Sequence, residues 1–311
     1  YWNDKETVIN SATFLAIENP STDVARYRAG DLDMTNYALP PEQFAKLQKE
    51  LPGEVFTTRT LATYSYELNN KKAPFDNVNV RKALNLSLDR NVITDKVLGQ
   101  GQTPTYVFTP TYIEEGHLIQ QPAYSKEPMA QRNEEAIKLL EEAGYSKANP
   151  LKFSILYNTN ENHKKVAIAA ASMWKANTKG LIDVKLENQE WKTYIDSRRA
   201  GRYDAARAGW NADYNQATTF GNYFLSNSSN NTAKYANPEY DKAIAESYVA
   251  TDAEGRAKAY AKAEEILAKD FGIVPIFNYV NPRLVKPYVK GYSGKDPQDH
   301  IYLRNLYIIK H

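Results

Sequence analysis

From residue 151 to residue 280 the chain alternates short apolar runs with stretches of helical spacing, and this alternation restricts the fold more than any other feature. Residues 151–157, 182–188, 203–209 and 273–280 read as strands. Residues 161–177, 190–199, 238–248 and 253–269 read as helices. Strand and helix in turn predict an α/β fold with a mainly parallel sheet flanked by helices.

The first third is less regular. Residues 8–17 (VINSATFLAI) have strand character, and Ser21 or Thr22 is placed to cap a short helix stopped by Gly30. A brief strand is expected at 31–35. Pro40 and Pro41 open a helix that Pro52-Gly53 ends. Residues 54–59 and 61–68 are strand-like. In the second of these Tyr64, Tyr66 and Leu68 alternate with Thr63, Ser65 and Glu67, the pattern of a half-buried strand. One long helix is expected over 79–98, from Val80, Ala83, Leu84, Leu88, Val92, Ile93 and Val97. The stretch 99–128 is long and irregular, 130–143 is an amphipathic helix, and 283–285 and 301–309 are late strand candidates.

Composition narrows the function classes. The 311 residues carry 39 Lys and Arg against 37 Asp and Glu, a net charge of +2 with both signs interspersed, so no nucleic-acid partner is expected. No apolar run approaches the roughly 20 residues that span a bilayer, and no signal peptide is visible. The chain starts at Tyr1 rather than Met, which implies processing, trimming or a piece of something longer. Cysteine is absent, which excludes thiolate catalysis, thiolate metal sites and disulfides. The four histidines, His117, His163, His300 and His311, lack metal spacing. Without a nucleophile elbow, Walker loop or dinucleotide fingerprint, no enzyme activity and no cofactor are expected.

The chemistry concentrates in Arg207-Ala-Gly-Trp-Asn-Ala-Asp-Tyr-Asn215, at the end of a strand. Charged and aromatic groups at a strand end usually face a cleft. Asp213, beside Trp210 and Tyr214, needs a cation, supplied by Arg207 or by a ligand ammonium. His163 sits where a strand enters a helix, a place that favours negative charge, although a solvated helix-start histidine is the commoner occupant. Trp191 reads most simply as a core side chain, and Arg198 and Arg199 as surface charges near a helix end.

These residues resemble the signature of the periplasmic oligopeptide-binding proteins of ABC peptide permeases, a family that includes murein-peptide binders. The resemblance extends through Arg26-Tyr-Arg-Ala-Gly-Asp-Leu-Asp-Met-Thr35, Leu156-Tyr-Asn-Thr159, Val184-Lys-Leu-Glu-Asn-Gln-Glu-Trp-Lys-Thr193, Arg283-Leu-Val-Lys-Pro287 and Tyr307-Ile-Ile-Lys-His311. It implies a periplasmic-binding-protein type II-like fold and a non-enzymatic transport component. Such a protein captures short peptides between two lobes and hands them to membrane permease subunits, as a monomer in its full-length form. The alternative it leaves is a murein-peptide or other small-ligand binder on the same scaffold. By the same resemblance the chain is the C-terminal part of a longer one. Residues 1–62 are the later segment of the first lobe, 63–280 a peptide-binding third domain and 281–311 the return to the first lobe.

The resemblance also distributes roles. Asp213 takes the peptide's α-ammonium, while Arg207 and His163 take its terminal carboxylate. Trp191, Trp210, Arg198 and Tyr279 line pockets, Gly209 offers backbone, and Asn211 stands where a relative has cysteine. Leu98, Thr60 and Ser65 depart from close relatives, which affects preferred peptide length and side-chain volume.

Overall fold

The computed structural model describes residues 2–17, 19–36 and 38–311. In chain order the elements are α1 (Pro20–Ala29), α2 (Pro41–Glu50), β1 (Val55–Leu68), α3 (Val78–Leu86), β2 (Thr103–Pro104), α4 (Met129–Glu142), β3 (Leu151–Asn158), α5 (Glu161–Asn177), β4 (Ile182–Gln189), α6 (Trp191–Arg199), β5 (Ala205–Asn211), α7 (Thr218–Gly221), α8 (Pro238–Val249), α9 (Ala253–Lys269), β6 (Ile273–Leu284), β7 (Val289–Lys290) and β8 (Tyr307–Ile308). They form two compact units. The first comprises Tyr1–Thr60, Leu98–Gln102 and Tyr279–His311, the second Leu61–Val97 and Thr103–Asn278.

In the first unit Asn19, not Ser21 or Thr22, caps α1. Its side chain accepts from the amides of both, and Gly30 ends the helix at φ 88°. Val24, Tyr27, Leu39, Phe44, Leu47 and Leu284 form the core. The brief strand at 31–35 is reduced to one bridge, Met34 to Val285. Residues 8–17 are not a strand. Val8 and Phe14 are 66% and 82% exposed, and among the described residues no strand pairs with this segment, so it gains nothing from extending. The late strand expected at 301–309 shrinks to β8, paired antiparallel with β7 after a 3-10 turn at Leu303–Asn305.

The second unit carries the sheet, in the order β2-β6-β1-β5-β3-β4. It is mixed. The alternating segment supplies the parallel part, β3 with β4 and with β5. The pairings β1 with β5 and β2 with β6 are antiparallel. β1 is one continuous strand, and from Thr60 to Leu68 it is buried on both faces rather than half-buried. Tyr66 packs on Trp174 of α5, while Glu67 on the opposite face meets Arg198 of α6.

The helix expected over 79–98 is two pieces. Ser87 turns its hydroxyl back to the Ala83 carbonyl at 2.6 Å, and Asp89 starts a new turn by accepting from the Asn91 amide at 3.0 Å. A π-helical segment, Val92–Leu98, follows. The irregular stretch after it is held from inside. The buried Glu264 carboxylate of α9 accepts from the Phe108 and Thr109 amides and the Thr109 hydroxyl, and Thr63 donates to the Phe108 carbonyl at 2.7 Å. Burial pushes the Glu264 carboxyl above its ordinary range.

Trp174 is fully buried, and its indole donates to the Leu84 carbonyl at 2.9 Å. Trp174→Ala is expected to remove about 3–5 kcal/mol of stability, read by urea unfolding.

Candidate functional site

The site is built on β5. Its register with β1 runs from Leu68 opposite Ala205 to Ala62 opposite Asn211. The strand therefore extends two residues past the boundary expected at 209 and takes most of the Arg-Trp signature into itself. On the other side β3 reaches only Ala205 and Ala206. From Gly209 to Asn211, β5 thus has β1 on one side and, among the described residues, no strand on the other.

The direction of its backbone follows from two hydrogen bonds. Ala212 donates to the Leu61 carbonyl at 2.8 Å, so even-numbered residues face β1. The Arg207 carbonyl faces away and accepts from the Tyr194 hydroxyl. Gly209 and Asn211 turn their amides and carbonyls the same way as Arg207, toward the open edge.

Two clusters flank this edge. At one end Arg207 and His163 meet around Tyr64. The Arg207 guanidinium carbon lies 5.2 Å from the Tyr64 ring centre, and the His163 ring lies 5.6 Å from it. His163 is in the first turn of α5, and its own amide is satisfied by the Asn160 cap at 3.1 Å. Burial, and then the Arg207 charge, hold the imidazole pKa well below its ordinary value, so His163 is neutral.

At the other end Thr219 of α7 holds both Trp210 and Asp213. The indole donates to the Thr219 carbonyl at 3.0 Å, and the Thr219 hydroxyl donates to the Asp213 carboxylate at 3.2 Å. Asp213 itself is exposed, and Trp210 packs edge-on against Tyr223 at 4.8 Å. Nothing in the sequence marked α7, a single turn in a polar loop. Asn211 is exposed at the strand's end, opposite Ala62.

α6 contributes from both of its ends. Trp191, which reads as a core side chain, is instead 55% exposed, beside Tyr194 at 5.8 Å. Arg198 is not a surface charge. It is buried against Glu67 at 3.0 Å, with Tyr223 and Thr232 each 3.1 Å from the same guanidinium nitrogen. Arg199 is exposed, as expected of a helix-end charge. Tyr279 belongs to the first unit, where its carbonyl accepts from Thr60 at 3.2 Å.

Sequence reasoning missed Tyr64, Tyr194 and Thr219. Tyr64 acts through strand register, Tyr194 through its hydroxyl on the distant Arg207 carbonyl and Thr219 through a one-turn helix, none of which leaves a local signal. Among the described residues no group of His, Asp and Glu is placed to hold a metal, and no helix is long and apolar enough to cross a membrane.

This architecture, a mixed α/β sheet flanked by helices with one strand edge open between Asp213 and the Arg207–His163 pair, fits a solute-binding protein. The chain belongs to the bacterial extracellular solute-binding proteins, family 5, whose middle region matches residues 1–232. It is 96% identical over all 311 residues to the periplasmic oligopeptide-binding protein OppA of Haemophilus influenzae, and covers 58% of that protein. It is 43% identical to the periplasmic murein peptide-binding protein MppA of Escherichia coli, covering 57%. The crystal structure of H. influenzae OppA in complex with RPPGFSPFR superimposes with a TM-score of 0.95 at 95% identity, over the whole chain and 60% of that one. The chain thus spans rather more than half the length of these relatives.

Two outcomes test the geometry. Arg198→Met strands the Glu67 carboxylate in the interior and is expected to cost about 3–5 kcal/mol in chemical unfolding. For His163 the unfolded imidazole binds a proton more readily than the folded one. Its contribution to stability is therefore present above about pH 6.5 and lost as pH falls below that value. His163→Gln should flatten the decline in melting temperature between pH 7.5 and 5.5.

Proposed function

We propose that the chain is the peptide-capturing part of the substrate-binding component of an ABC peptide importer, working in the periplasm with membrane permease subunits. The observation that carries this is the β5 edge. Gly209 and Asn211 present backbone donors and acceptors to an open side, and an extended peptide pairs with such an edge whatever its sequence. Arg207 and Asn211, four residues apart within β5, are separated by about 13 Å, and Asp213 lies two residues further on in a bend. Allowing for the reach of the Arg207 side chain, that matches on the order of three to five residues of extended ligand.

Roles divide accordingly. Asp213 takes the peptide's α-ammonium, and Arg207 with neutral His163 takes its carboxylate. Trp210 and Trp191 provide apolar walls beside the backbone of Gly209 and Asn211. Arg198 serves the site from beneath, holding Tyr223 under Trp210. The second unit corresponds to the family's peptide-binding third domain, and the first to parts of its first lobe. Proteins similar to this chain are named as periplasmic oligopeptide-binding proteins, and one of them was solved in complex with RPPGFSPFR.

Calorimetry on the full-length protein tests the polarity. Asp213→Asn is expected to weaken peptides with a free N-terminus on the order of 30-fold or more, while N-acetylated peptides lose little. Unchanged affinity for the free-amine peptide would refute the ammonium assignment.

A further inference from the structure

We propose that Tyr64 is the positioning residue of the carboxylate-reading end, a ring that holds Arg207 and His163 in place before ligand arrives. This rests on the assignment of Arg207 and His163 as the carboxylate receiver.

Tyr64 is 1% exposed, so its ring is part of the interior. Phe277 stacks on it at 4.7 Å and 26°, and Tyr66 meets it edge-on at 5.9 Å. These contacts fix the plane of the ring. In the β1–β5 register Tyr64 lies opposite Gly209, and Tyr66 lies opposite Arg207. Gly209 puts no side chain in the way, so the ring is open to its diagonal neighbour Arg207 across the pair. His163 approaches the same ring from α5, tilted by 56°.

Each contact has a consequence for binding. An arginine side chain has large rotamer freedom, and fixing it at the moment of binding weakens affinity. An aromatic face attracts a guanidinium and holds it in advance. The ring also keeps the histidine near one cation without adding a second charge, so His163 offers a hydrogen bond while Arg207 alone supplies the charge. Tyr64 touches no ligand in this arrangement and acts only through the two groups that do.

The test is a pair of ligands, tetraalanine and its C-terminal amide, titrated calorimetrically into the full-length protein and its variants. Wild type should prefer the acid. Tyr64→Leu should weaken the acid about tenfold and leave the amide unchanged, collapsing the acid-to-amide ratio. Tyr64→Phe, which keeps the ring face, should retain that ratio. Equal losses for acid and amide in Tyr64→Leu would make the residue merely structural and overturn the proposal. So would a ratio lost equally in Tyr64→Phe. An Arg207→Ala variant separates the layers. If it keeps the wild-type ratio, the carboxylate assignment itself fails. If it loses the ratio while Tyr64→Leu keeps it, only the positioning role fails.

Discussion

The antiparallel pairing of β5 with β1 is the interaction on which the site depends. It continues to Asn211 after β3 has dropped away at Ala206, leaving a strand that is rigid on one side and open on the other. A strand with neighbours on both sides would have no unused backbone groups, and one with neither would not stay extended. One-sided pairing supplies both a firm template and free hydrogen-bonding groups.

The rest of the second unit secures that template with buried polar contacts. Glu67, on the face of β1 opposite Tyr66, is neutralised by Arg198 and saturated by the hydroxyls of Tyr223 and Thr232. A carboxylate so deep is tolerated only when paired and fully bonded. The pair thereby fixes Tyr223, on which Trp210 rests. Glu264 orders the irregular stretch after β2 by accepting its amides, which places Phe108 against Tyr223 and Phe224. The apolar floor of the site is therefore set by polar anchors placed well behind it.

Charge along the strand follows the same economy. The acid lies at the exposed end and is held by a threonine hydroxyl. The base lies at the more enclosed end over an aromatic ring. Burial and the neighbouring guanidinium keep His163 neutral, which leaves a single positive charge there. The strand and the turn after it thus carry one negative charge at the exposed end and one positive charge at the enclosed end, with the backbone of Gly209 and the Trp210 ring between them.

The sequence alone determined the α/β class, most helices between Met129 and Lys269, and the concentration of chemistry between Arg207 and Asp213. Helical periodicity, caps and alternation are local, and local signals survive in a one-dimensional string. It misplaced the strand at 8–17 and fused α3 with the π-helical segment, because pairing partners and back-bonding side chains decide those outcomes. It took Arg198 for a surface charge and Trp191 for a core side chain, since helical position does not say which face another element covers. Tyr64, Tyr194 and Thr219 emerged only from the tertiary structure. What gives each its place is the register of β1 against β5 and the packing of α5, α6 and α7, contacts between residues far apart in the chain that no short window of sequence contains.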